Sequence, residues 1–94
     1  MKSKYVNVCG RRIKYDSRFD IRPYCFFDLM EDEYWMVLQV VDSLLCRCHK
    51  VFKSADVSSI KMMRKLNNSY ECKVIFSISD DERLAYEREA KDGK

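Results

Sequence analysis

Residues 31–50 read EDEYWMVLQVVDSLLCRCHK, and their spacing decides the fold. Tyr34, Val37, Leu38, Val41, Leu44, Leu45 and Cys48 recur at i, i+3, i+4 and i+7, the period of a helix with one apolar stripe. The spacing predicts a helix of about five turns. Glu31, Asp32 and Glu33 stand in its first turn and Arg47 and Lys50 in its last, the signs that the peptide dipole favours at each end. At ~100° per residue, Val40 flanks the stripe, Met36 lies nearly opposite it and Trp35 falls about 120° from its centre. Trp35 and Met36 are therefore the apolar residues that the helix's own core explains least.

Upstream, residues 16–29 show no period. Pro23 drives Arg22 towards extended geometry. Phe19, Ile21, Tyr24, Phe26 and Phe27 are too apolar for a free linker, so irregular chain with a short extended piece is expected across the core edge. Further out, residues 4–15 predict a β-hairpin. Gly10-Arg11, a two-residue loop with glycine first, suits a type II′ turn. That turn sets Cys9 opposite Arg12, Val8 opposite Ile13, Asn7 opposite Lys14 and Val6 opposite Tyr15. One face then carries Val6, Val8, Ile13 and Tyr15, the other Asn7, Cys9, Arg12 and Lys14.

Downstream, Val57, Ile60, Met62, Met63 and Leu66 scatter around a helical wheel, whereas Ile60, Met62 and Leu66 share one face of a strand. A strand over 57–66 is the preferred reading. In residues 70–79, Tyr70, Cys72, Val74, Phe76 and Ile78 alternate with Glu71, Lys73, Ser77 and Ser79, a strand signature. A three-residue loop Asn67-Asn68-Ser69, with Asn68 or Ser69 left-handed, places Leu66 opposite Tyr70, Met62 opposite Val74, Ile60 opposite Phe76 and Lys65 opposite Glu71. Arg64 then meets Cys72 awkwardly. Residues 80–91 predict a last helix, opened by Ser79 and Glu82 at capping-box spacing and supported by a Glu87–Lys91 pair. Its apolar content is thin (Leu84, Ala85, Tyr86, Ala90), and fraying is expected over 91–94. The expected α+β domain spans residues 1–94 in β-β-α-β-β-α order. A four-stranded antiparallel sheet packs against one long helix, with a short charged C-terminal helix.

The composition fits one modest core: 94 residues, 47% of them hydrophobic. No stretch reaches the ~18 apolar residues of a membrane span. The start, Met-Lys-Ser-Lys-Tyr-Val-Asn, lacks the apolar region of a secretory signal. A cytoplasmic chain with no membrane partner is expected. Five cysteines, an odd number without a signal, point to reduced thiols. The net charge of +3 is blocky: +5 over residues 1–23, −5 over 24–45, +5 over 46–66 and −2 over 67–94.

The chemistry-bearing residues are few. In Cys46-Arg47-Cys48-His49, the two cysteines diverge by about 200° on a helix, leaving Cys46 and His49 as a candidate metal pair. They would need two thiolates from Cys9, Cys25 or Cys72. A small zinc-binding domain is thus a minor alternative, and no cofactor is expected. The single histidine has no facing cysteine along the helix. The runs Glu31–Glu33 and Asp80–Glu82 open helices, where acids are ordinary. Two glycines cannot build a phosphate loop.

The expectation is a non-catalytic binding protein. In the leading reading, Trp35, Met36, Arg11, Arg12 and Lys14 occupy a surface of a protein partner. Occlusion is the mechanism expected of it, as in the small inhibitors of host systems that phages and mobile elements encode. A second copy of the chain is a further candidate partner. The alternative reading is nucleic-acid binding. Arg11, Arg12 and Lys14 would enter a groove from the hairpin tip, and Lys50, Lys53, Lys61, Arg64 and Lys65 would form a second cluster. The pI of about 8.6 lies below the value typical of such domains.

Overall fold

The computed structural model describes residues 4–18 and 23–92, with side chains described as far as residue 89. Strands β1 (Lys4–Val8), β2 (Arg11–Arg18) and β3 (Tyr24–Met30) are followed by a 3₁₀ helix (Glu31–Met36) that runs directly into α1 (Val37–Cys48). Strands β4 (Asp56–Arg64) and β5 (Ser69–Ser77) and helix α2 (Asp80–Asp92) complete the chain. The expectations for Phe19 and Ile21, for the Glu87–Lys91 side-chain pair and for fraying at 93–94 lie outside the described residues.

The sheet has five strands, not the four expected, in the order β1-β2-β3-β5-β4 with every neighbouring pair antiparallel. The added strand is β3, at the centre. Its residues Cys25, Phe27 and Leu29 are buried, while Tyr24, Phe26, Asp28 and Met30 turn to the opposite face. Both faces of β3 carry apolar side chains, so the alternation that marks a strand is invisible in the sequence. From β3 the chain crosses through α1 to β4 at the far edge, and β5 returns into the gap between β4 and β3.

Both hairpins keep the expected faces but slip in register by two residues. In the first, Val8 lies opposite Arg11, Val6 opposite Ile13 and Lys4 opposite Tyr15. The turn is Cys9-Gly10, not Gly10-Arg11, and both residues have positive φ, 51° and 79°. Positive φ at both central positions is a type I′ turn, whose twist matches the flanking strands. In the second, Ile60 lies opposite Val74, Met62 opposite Cys72, Lys61 opposite Lys73 and Arg64 opposite Tyr70. The loop is Leu66-Asn67-Asn68, closed by Lys65 N–H on the Ser69 carbonyl at 2.8 Å, with Asn68 left-handed at φ 54°. Leu66 is therefore fully exposed in the turn and does not face Tyr70. A two-residue slip returns each side chain to its face, so the apolar pattern alone could not choose between these registers. The turn chemistry decided it.

One sheet face is covered. Val40, Val41, Leu44 and Cys48 of α1, with Met36, Phe52 and Ala55, pack over Val6, Val8, Ile13, Tyr15, Phe27, Leu29, Cys72, Val74 and Phe76. Helix α2 joins this side through the Phe52–Tyr86 ring contact at 4.9 Å. Its N-terminus is fixed by a relayed cap. Ser79 Oγ accepts from Glu82 N–H at 3.2 Å as expected, but the Glu82 carboxylate does not return to Ser79. Instead Ser54 Oγ stands between them, accepting from Ser79 N–H at 2.9 Å and donating to Glu82 Oε1 at 2.5 Å. Glu82 also accepts from the N–H groups of Lys53 and Ser54 at 2.8 and 2.9 Å. These bonds tie α2 to the loop between α1 and β4 and hold the Glu82 carboxyl below the usual glutamate value, chiefly through Ser54.

Candidate functional site

The two candidate surfaces lie on opposite sides of the sheet. On the helical side, Tyr34, Trp35 and Leu38 are 48%, 62% and 65% exposed. Trp35 stands free of the core as its position on the wheel suggests. Met36 does not: it is buried, with 2% exposure. The correction has a geometric cause. Residues 31–36 wind at three residues per turn, so Glu33 and Met36 eclipse and both point inward. Tyr34 is thereby turned out of the expected core stripe and rests on the Tyr70 ring at 5.4 Å. Within α1, Val37, Val40, Val41, Leu44 and Cys48 define the buried stripe, and Leu38 sits about 100° from its centre. The strip Tyr34–Trp35–Leu38 is bordered by exposed Glu31, Asp32 and Asp42.

Glu33 is the one buried charged residue among those described, with 6% exposure. Its Oε1 accepts from Met30 N–H at 3.0 Å, closing the first turn of the 3₁₀ helix. Its Oε2 faces the Arg11 guanidinium. Arg11 is therefore held by the protein's own carboxylate and leaves the hairpin-tip cluster in which the sequence placed it.

The opposite face of the sheet carries no helix among the described residues. Row by row it presents Ser59, Ile75, Tyr24 and Arg18, then Lys61, Lys73, Phe26 and Asp16, then Met63, Glu71 and Asp28. Beyond these, Lys14 lies opposite Tyr5 and Arg12 opposite Asn7 on β2 and β1. Tyr24 and Phe26 meet edge to face at 5.1 Å. The Lys73 ammonium stands 4.7 Å from the Tyr24 ring centre and 5.4 Å from that of Phe26. Arg12 stacks over Tyr5 at 3.9 Å. Pairing of β2 with β3 ends at Tyr15 and Phe27, and where the strands part a groove of about 360 Å³ opens, lined by Arg12, Lys14, Asp16, Phe26, Asp28 and Glu71 among others.

The cations divide between these settings. Arg11 is paired with Glu33, Arg64 with Glu31 at 3.9 Å, Lys65 with Asp28 at 3.6 Å and Arg83 with Asp80 at 3.4 Å. Arg12, Lys14, Arg18, Lys61 and Lys73, all on the bare face, have no ion pair among the described residues. Lys50 and Lys53 lie in the segment after α1, on the helical side. The second basic cluster expected from the sequence is thus divided: Lys61 joins Arg12 and Lys14 on one surface and Lys65 reaches it through Asp28, while Lys50, Lys53 and Arg64 do not. Tyr5, Arg18, Tyr24, Phe26 and Lys73 were not picked out from the sequence. The run Tyr-Cys-Phe-Phe over 24–27, rich in residues that favour strands, was the available signal for two of them.

The remaining chemistry is quiet. His49 Nε2 donates to the Ala55 carbonyl at 2.7 Å, bracing the loop after α1. Cys9 and Cys46 are exposed, and Cys25, Cys48 and Cys72 are buried. Burial pushes the Cys25 thiol up to about 12 and those of Cys48 and Cys72 up to about 11, so all three are protonated at neutral pH. No group of three or more metal-ligating side chains gathers among the described residues. No helix there is long and apolar enough to cross a membrane.

Fold and surfaces together define a small α+β domain with an antiparallel sheet and two helices, helical on one side and bare on the other. No family model, curated protein or solved structure matches the chain.

Proposed function

We propose that the chain is a non-catalytic binding protein that acts by occupying a surface of a protein partner through the strip Tyr34–Trp35–Leu38. The observation that carries this reading is Trp35, a large aromatic left 62% exposed on a helical segment whose neighbours Glu33 and Met36 are locked in the core. A rigidly mounted tryptophan gives much contact area for little lost freedom, which is why such residues anchor interfaces. Glu31, Asp32 and Asp42 around the strip fit a partner whose apolar cleft has a basic rim. Occlusion of that cleft, without turnover, is the mode of action. Engagement of the one histidine by a backbone carbonyl and protonation of the buried thiols support a role without catalysis.

The test compares affinity capture by wild type and Trp35→Ala from nuclease-treated host lysate. A protein retained by wild type should be lost at least tenfold with Trp35→Ala, while the thermal midpoint moves by less than about 4 °C, as for a surface change of under ~0.5 kcal/mol. Equal retention by a folded Trp35→Ala variant would remove the strip from the interface.

A further inference from the structure

The bare face of the sheet combines three features that the fold itself does not require. The first is aromatic: Tyr24 and Phe26 stand on the central strand with no described element above them, although a solvated sheet face ordinarily alternates to polar residues. The second is charge. Five cations without an ion pair among the described residues share the face with three acids, Asp16, Asp28 and Glu71, and a sixth cation, Lys65, reaches in to engage Asp28. Arg11, Arg64 and Arg83 are paired with carboxylates away from this face, whereas these five, like Arg47, Lys50, Lys53 and Arg88 elsewhere, have no ion pair among the described residues. The third is a placement that works against the fold. Lys61 and Lys73 lie directly opposite one another on β4 and β5, a like-charge pair that destabilises a sheet. Violations of local preference that cost stability gather at functional sites.

We propose that this face binds single-stranded nucleic acid, with unpaired bases stacking on Tyr24 and Phe26 and phosphates lying against Lys61, Lys73, Lys14 and Arg12. The chemistry selects the ligand. A polyanion relieves the Lys61–Lys73 repulsion, and the half-buried rings of Tyr24 and Phe26, which already hold the Lys73 ammonium, offer a stacking surface to partners that are flat and unpaired. A duplex would satisfy the cations but hides its base faces, leaving the aromatics unused. Five strands about 4.8 Å apart span roughly 19 Å, room for the two or three bases that a sheet of this kind stacks. Arg12 and Lys14 stand on the same face of the sheet as the rings, Arg12 stacked over Tyr5. This site is separate from the Trp35 strip, so either surface can fail without the other.

Fluorescence anisotropy with labelled 12-nucleotide DNA and RNA single strands, and with a 12-base-pair duplex, at 50 and 200 mM salt decides the matter. The expected result is micromolar binding of a single strand at 50 mM salt, weaker binding at 200 mM, and at least fivefold weaker binding of the duplex. Phe26→Ala should weaken single-strand binding roughly tenfold. Because Phe26 is half-buried, the paired variant Lys61→Glu with Lys14→Ala, on exposed positions, is the second arm: it should weaken binding more than tenfold and flatten the salt dependence, whereas Trp35→Ala should change neither. Failure of any single strand to bind at 50 mM salt, equal binding of the duplex, or full binding by the lysine variant would overturn the assignment.

Discussion

The two sides of the sheet are built from similar materials to different ends. The helical side takes aromatic and aliphatic residues out of water and engages its two inward carboxylates: Glu33 with Arg11, Glu82 with three donors from Lys53 and Ser54. The bare side keeps Tyr24, Phe26 and five cations at the surface and leaves two lysines face to face. The helical side is built for folding, and its largest exposed apolar cluster is the strip Tyr34–Trp35–Leu38. The bare side gives up some stability across its whole width. The groups whose placement the fold does not require therefore lie at that strip and on the bare face.

The contrast can be broken most severely on the helical side. Phe52 is fully buried where α1, the following loop and α2 meet, and its ring contacts Tyr86. Phe52→Ala should lower stability by about 3–5 kcal/mol, read as a large fall in the urea midpoint. No single truncation on the bare face should approach that value.

A smaller effect follows from Glu82, whose carboxyl is held below its ordinary value of 4.5 by its bonds to Ser54 and Lys53. A carboxyl depressed in the folded state adds stability that is complete above its unfolded value and is lost as pH falls through the folded one. The thermal midpoint of wild type minus that of Glu82→Gln should therefore be positive and flat from pH 7 to about 5, and shrink towards zero below about pH 4.5. A difference that is unchanged down to pH 3 would mean that the relay through Ser54 does not hold α2 in solution.

The smallest change has the most telling sign. Lys61→Glu replaces a like-charge pair with an opposite-charge pair across β4 and β5. It should stabilise the protein by roughly 0.2–1 kcal/mol while weakening single-strand binding. A gain in stability with a loss of binding is the signature of a residue kept for function. Stabilisation without any loss of binding would leave Lys61 outside the site.

Of the candidate strip only Trp35 was legible beforehand, because it lies off the stripe at 3.6 residues per turn; Tyr34 and Leu38 were read as members of the core stripe and are exposed. Met36 was not, since the wheel assumed 3.6 residues per turn where the chain winds with three. The binding face was hidden more deeply. Lys61 and Lys73 are separated by a hairpin whose register the apolar pattern left open, and Phe26 lay in a segment whose two apolar faces conceal its alternation. Arg11 resembled its neighbour Arg12 in every local respect. Only the docking of the 3₁₀ helix, which brings Glu33 to Arg11, separates them.

By itself the sequence determined the local terms: a helix within residues 31–50 from its 3.6-residue period, the faces of both hairpins from their alternating strands, and α2 from Ser79 and Glu82. These depend on interactions a few residues apart. Tertiary structure alone decided the fifth strand, the order β1-β2-β3-β5-β4, and which cations are neutralised and which stand together. Those outcomes depend on contacts between residues distant in the chain, whose energies no local pattern encodes.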